Sequence, residues 1–211
     1  MNENYILIGD SITYGIGDNN NLGWANLFKK DTFNFNETSS YYRNVHILGI
    51  PGATTNDIKE RINSIIYALS VNIYKNIIVL AIGVNDTQLY SGDYNDVFDN
   101  FKENIIYIIK TIKEKDCDVI VLGITRITLN EDPEKNNYFY YNKTNILEYE
   151  KDLKIIETND NNLKNICDEN NIKYISLTDV LNKNDYIDGL HPNEVGHKKI
   201  FNKLKEEITT M

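Results

Sequence analysis

The sequence predicts an α/β protein, a three-layer α/β/α sandwich in which a five-stranded parallel sheet lies between two layers of helices. Three observations carry that expectation: five short apolar runs rich in Ile and Val, longer amphipathic stretches between them, and regular alternation of the two along the chain. Runs so brief are too short for buried helices and read as central strands covered on both faces.

In chain order the predicted strands are residues 5–9, 44–48, 76–82, 118–123 and 173–176. The predicted helices are 24–30, 55–70, 93–115, 144–170 and 193–208, several opening on a Thr, Asp or Asn able to cap the first turn. Within 93–115, Val97, Phe101, Ile105, Ile108, Ile109 and Ile112 recur at helical spacing, as a single sheet-facing stripe requires. Strand-to-strand connections through helices predict right-handed crossovers. Residues 130–145 form an irregular polar segment with an aromatic cluster, Tyr138, Phe139, Tyr140 and Tyr141; it reads equally as a long loop near the functional face or as packing against the side of the domain.

A chain of 211 residues suits one domain, here 1–211, and no internal repeat, Pro-rich linker or low-complexity tail marks a boundary within it. The formal charge of -9, with Lys and Arg scattered, would repel phosphate backbones and anionic membrane surfaces, so nucleic acid is not an expected partner. The first nine residues lack the basic and long apolar regions of a signal peptide, and no apolar stretch reaches the roughly 18 residues of a membrane span. Cys117 and Cys167 lie far apart without Cys-x-x-Cys spacing, which fits two buried thiols in a reducing, cytoplasmic compartment and argues against a structural zinc. Oligomeric state has no signature in the sequence.

In open parallel sheets ligands bind beyond the carboxyl ends of the strands, so the loops after the apolar runs are where chemistry is expected. Four of them stand out: Gly9-Asp10-Ser11-Ile12-Thr13-Tyr14-Gly15, Gly49-Ile50-Pro51-Gly52-Ala53-Thr54-Thr55, Gly83-Val84-Asn85-Asp86, and Asp188-Gly189-Leu190-His191-Pro192. In order and in spacing, across nearly the whole chain, these segments resemble the four blocks of the GDSL/SGNH hydrolase family, with Ile12 where the family's name has Leu. The resemblance implies a flavodoxin-like five-stranded parallel sheet and an esterase without cofactor or metal. It implies Ser11 as nucleophile, Asp188 and His191 as its triad partners, and Gly52 and Asn85 as oxyanion-hole donors.

Elementary chemistry supports the same roles. A Ser hydroxyl needs a positioned base, His is the side chain suited to that task, and a carboxylate three residues earlier, Asp188, can fix its tautomer. Negative charge developing on a carbonyl oxygen needs donors already aimed at it. Gly52 can bring its backbone N–H close, Asn85 offers a neutral amide, and the Ser11 N–H, at the start of a helix, would gain from the helix dipole. Singly, each segment is also an ordinary cap or turn; four in order after predicted strands are hard to obtain from capping preferences alone.

Two other readings compete. A metal-dependent hydrolase could use Asp10, Asp86, Asp188 and His191 as ligands, but leaves Ser11 and Asn85 unexplained. A non-catalytic binding domain could keep the fold, although the full triad argues against it. The Gly-x-Ser-x-Gly elbow of α/β-hydrolases is absent around Ser11. Asp10 and Asp86 read as loop caps or anchors, and His46 and His197 as structural or solvent-facing. The family resembled includes lipases, thioesterases, lysophospholipases and carbohydrate acetylesterases; with only short loops besides 130–145, a shallow pocket and a small or short-chain acyl ester substrate are expected. Ile12, Ile16, Ile50, Ile127 and the Tyr138–Tyr141 cluster, Tyr140 among them, could line it, and Arg126 could meet a polar or anionic leaving group.

Overall fold

A computed structural model describes residues 2–72, 74–130 and 139–209. Five parallel strands, β1 (Glu3–Gly9), β2 (Arg43–Gly49), β3 (Lys75–Ala81), β4 (Asp118–Leu122) and β5 (Lys173–Ile175), form one sheet in the order β2-β1-β3-β4-β5. The strand order is flavodoxin-like: the chain steps from β1 to one side, then returns to continue on the other. Register is level where it matters, with Gly9 beside both Gly49 and Ala81. The segments leaving these three strands therefore start at one height on one rim.

Helices α1 (Ser11–Tyr14), α2 (Trp24–Thr38), α3 (Thr55–Leu69), α4 (Tyr94–Glu114) and α5 (Ile146–Glu169) lie in the connections between strands, and α6 (Glu194–Thr209) follows β5. The sheet is buried on both faces: Ile6, Leu7 and Ile8 of β1 and Ile78, Val79 and Leu80 of β3 are fully covered. All six stripe residues of α4, from Val97 to Ile112, are buried, because a 3.6-residue period keeps them on one side of the helix. Asp93 caps that helix by accepting the Asn95 N–H at 2.8 Å. At α3, Thr54 and Asp57 form a reciprocal capping box.

The main departure from expectation is α2, which continues from residue 30 to Thr38. Its second half, Asp-Thr-Phe-Asn-Phe-Asn-Glu-Thr, has poor helix formers and buries only Thr32, so no stripe announces it. Tertiary bonds hold it instead: Asn36 Nδ2 donates to Arg43 O at 3.0 Å, the Arg43 N–H donates to Asn36 Oδ1 at 2.8 Å, and the Arg43 guanidinium lies 3.7 Å from the Phe35 ring centre. Helix α5 opens with a 3-10 turn, Lys143–Asn145, and two further short elements, α1 and the 3-10 turn Val84–Leu89, had no periodicity to reveal them.

Residues 131–138, Tyr138 included, lie outside the described residues. The chain on either side meets at the Asn130 N–H, which donates to Tyr141 O at 3.0 Å. No helix among the described residues is long and apolar enough to cross a membrane. Cys117 and Cys167 are free and buried.

Candidate active site

Strand β1 ends at Gly9, and Asp10 turns the chain by accepting the Ile12 N–H on Oδ1 at 2.9 Å. Ser11 follows as the first residue of α1, its carbonyl accepting the N–H groups of Gly15 and Ile16, both at 3.0 Å. With only four residues α1 sums few peptide dipoles, so the expected gain from a helix dipole at the Ser11 N–H is small.

The Ser11 hydroxyl stands 3.0 Å from His191 Nε2, across 180 positions of sequence. His191 Nδ1 lies 2.7 Å from Asp188 Oδ2, and the other oxygen of that carboxylate accepts the backbone N–H of Leu190 at 3.0 Å and of His191 at 2.7 Å. A carboxylate at Nδ1 fixes the proton there and leaves Nε2 to face the hydroxyl as acceptor. Burial works to raise the Asp188 pKa, but the bonds from the His191 ring and the two backbone N–H groups outweigh it, and the carboxyl is held below its ordinary value. The loop is pinned from three sides: the Ile187 N–H donates to His191 O at 2.9 Å, the Thr128 N–H to Gly189 O at 2.8 Å, and the Tyr140 N–H to Asp188 O at 3.0 Å. The Tyr140 ring stands edge-on to the His191 ring with centres 5.7 Å apart. Phe139 packs on Gly189, whereas the buried Tyr141 donates its hydroxyl to Asp152 at 2.8 Å, so the aromatic cluster divides between the site rim and the side of the domain.

Gly52 and Asn85 lie on the segments that leave the carboxyl ends of β2 and β3. Gly52 has φ 78°, and a Cβ built there would meet nothing within 4 Å, so its backbone borders open space as an approaching substrate requires. Asn85 Nδ2 donates to Ala53 O at 3.0 Å, which ties the amide to the Gly52 loop and uses one of its two N–H groups. Gln88 Nε2, 3.4 Å from Asn85 Oδ1, favours the same amide orientation.

Asp86 is buried and anchors the two loops to each other. It accepts the Thr55 N–H at 3.1 Å and the Thr55 hydroxyl, while Asn104 Nδ2 of α4 donates to Thr55 Oγ1 at 3.1 Å. Burial pushes the Asp86 pKa up to about 6 against the pull of the Thr55 bonds, and pushes that of Asp10, fully enclosed beside Ser11, to about 7. Thr55 and Asn104 are supporting residues that sequence reasoning missed. The available signal was Asn104 itself, a polar residue on the buried face of α4 between Phe101 and Ile108.

Of the remaining predicted residues, Ile12 and Ile127 are buried in the hydrophobic core, and Ile50 packs partly buried against it. Arg126 is half-exposed, its guanidinium 3.4 Å from Glu157 of α5. His46 remains on β2, partly buried, and His197 is wholly buried. Among the described residues no three His, Cys, Asp or Glu side chains are grouped to hold a metal ion. A cavity of about 1130 Å³ opens at the opposite, amino-terminal end of the strands, lined by Tyr5, Phe28, Arg43, Lys75 and Asp118 among others, and contains none of the predicted site residues. Several of its charges pair with one another, as in Arg43–Glu3 at 2.6 Å and Lys75–Asp118 at 2.7 Å, so volume there does not outweigh convergent chemistry at the Ser11 rim.

A flavodoxin-like sheet with this constellation at its carboxyl rim defines an acylhydrolase of the three-layer α/β class. The chain belongs to the GDSL-like lipase/acylhydrolase family, whose family model matches residues 7–199. Among solved structures, it is similar to a member of the lipolytic protein G-D-S-L family from Veillonella parvula, with 21% identity and a TM-score of 0.73 over 99% of this chain and 100% of that one. An aryl esterase from M. smegmatis shares 13% identity and a TM-score of 0.73 over 99% of each chain. An acetyl xylan esterase variant from Geobacillus stearothermophilus shares 17% identity and a TM-score of 0.71 over 97% of this chain and 94% of that one. At these identities the likeness is one of fold. No curated protein matches the sequence.

Proposed function

We propose that the protein hydrolyses small carboxylic esters by two-step acyl transfer through Ser11. The observation that carries this reading is the unbroken line from Asp188 Oδ2 to His191 at 2.7 Å and from His191 to Ser11 Oγ at 3.0 Å. His191 Nε2 takes the hydroxyl proton as Ser11 Oγ attacks the ester carbonyl, and Asp188 stabilises the imidazolium that forms. The tetrahedral oxyanion is received by the N–H groups of Gly52 and Ser11 and by the Asn85 amide. His191 then returns the proton to the departing alcohol, leaving an acyl ester on Ser11. Water, deprotonated by the same ring, releases the acid and restores the serine.

The buried positions of Ile12 and Ile127 favour short acyl groups, because neither side chain offers its surface as the wall of a long acyl tunnel. Tyr140, half-exposed beside His191, is suited to flank the leaving alcohol. Free Cys117 and Cys167 support a reducing compartment, the cytoplasm, as the place of action.

Turnover of p-nitrophenyl esters of increasing acyl length tests the reading. Acetate and butyrate should exceed decanoate in kcat/KM, and Ser11→Ala should lower kcat by at least ~10³ with the fold intact. A folded Ser11→Ala protein with near-native turnover would refute the mechanism.

A further inference from the structure

The segment that follows Ser11 and the segment that follows His191 are laced together at three places. Gly17 lies against Pro192 so closely that a Cβ on it would fall 2.0 Å from Pro192 O. Asn20 Nδ2 donates to Glu194 Oε2 at 2.7 Å. The third tie is His197, on α6 and fully buried, which uses both ring nitrogens: Nδ1 accepts the Trp24 N–H at 3.3 Å, and Nε2–H donates to Ile16 O at 2.9 Å.

The ring and the backbone of His197 each lead to the chemistry. The peptide of Ile16 whose carbonyl neighbours the ring belongs to the residue whose N–H donates to Ser11 O at 3.0 Å. The backbone N–H of His197 donates to Asn193 O at 2.9 Å, two residues beyond His191, and so ties the ring's own residue to the His191 loop. One flat ring thus connects the Ser11 turn, the start of α2 and the helix that carries the His191 loop.

We infer that His197 is a positioning residue of the acyl-transfer site, fixing the Ser11 turn relative to the His191 loop and so setting the reach between the hydroxyl and Nε2; the inference rests on the triad reading above. The job calls for a donor and an acceptor on opposite sides of a rigid, mostly apolar body, which a neutral imidazole supplies in one plane. Burial favours that neutral form and holds the His197 pKa below its ordinary value, although the Ile16 carbonyl and Asp18 pull the other way. A reacting pair tolerates little looseness, since misplacement by about 1 Å can cost ~10² in rate.

The test uses the full chain with p-nitrophenyl acetate, counting active sites by titration with a fluorophosphonate so that misfolded protein does not contribute. His197→Leu, which removes both ring bonds, should lower kcat per titrated site by about tenfold or more, leave KM within about twofold, and slow fluorophosphonate labelling in proportion. His197→Gln, which can still donate to Ile16 O, should recover part of that loss. If His197→Leu does not accumulate folded, His197→Asn, too short to reach both partners, is judged by the same per-site kcat. A per-site kcat within about twofold of the parent protein would make His197 a plain core histidine and overturn the inference. Ser11→Ala run alongside separates the two claims: turnover surviving there would defeat the triad reading, whereas an inactive Ser11→Ala with fully active His197→Leu would defeat this inference alone.

Discussion

Asn85 donates to Ala53 O at 3.0 Å, so its amide is oriented by the protein itself before any substrate arrives. Donors set in advance stabilise developing charge without reorganising during reaction. Asn85→Ala should therefore lower kcat by about 10²–10³ in steady-state assays while KM stays nearly unchanged. An effect confined to KM would speak against that role. Asp86→Asn is expected to act more weakly in the same direction, by loosening Thr55 from the Asn85 turn, and to leave KM unaltered. At this scale the sequence is most informative where chemistry dictates residue type: Ser11, Gly52 and Asn85 follow the carboxyl ends of β1, β2 and β3, and the His191 ring lies between Asp188 and the Ser11 hydroxyl. Thr55 and Asn104 were hidden because a neutral polar side chain reveals its use only through a partner, and their bonds span 31 and 49 positions.

Among the elements, α2 and α4 show two different ways in which a helix is specified. Helix α4 carries its own instruction, an apolar stripe that buries against the sheet and was readable from spacing alone. The second half of α2 depends on bonds from Asn36 to Arg43 and on the guanidinium over Phe35, contacts that exist only once β2 is in place. Asn36→Ala should lower stability by roughly 1–2 kcal/mol in denaturant titration, with helicity lost from the end of α2. Unchanged stability would mean that local propensity suffices after all. Elements of two turns or fewer, α1 and Val84–Leu89, escape periodicity altogether, yet they carry Ser11 and Asn85. Their existence was legible only through the chemistry of their residues.

For the molecule as a whole, burial of acids near the rim makes stability depend on pH. Asp10, with its pKa raised to about 7, and Asp86, to about 6, favour the folded state most when protonated; that contribution is present below their unfolded values and is lost as pH rises through the folded ones. His197 works in the opposite sense, because its lowered pKa gives stability that is present above the ordinary histidine value and fades as pH falls through the folded one. Asp10→Asn keeps the acceptor for the Ile12 N–H but cannot ionise. Its unfolding free energy, and with it its Tm, should exceed the parent protein's by a difference that opens above about pH 4, grows up to about pH 7 at roughly 1.4 kcal/mol for each pKa unit removed, and vanishes below about pH 4. A Tm difference that does not grow with pH would show that Asp10 does not titrate in this range.

The alignment of Gly9 with Gly49 and Ala81 also limits how such a protein can diversify. Lengthening a crossover between strands leaves the ladder untouched, so new specificity can accumulate there at little thermodynamic cost. Adding one residue within β2 would instead advance Gly52 by about 3.3 Å and turn inward-facing side chains outward. Variation is thus channelled into the connections, while strand length is frozen by the ruler that keeps three chain exits in step.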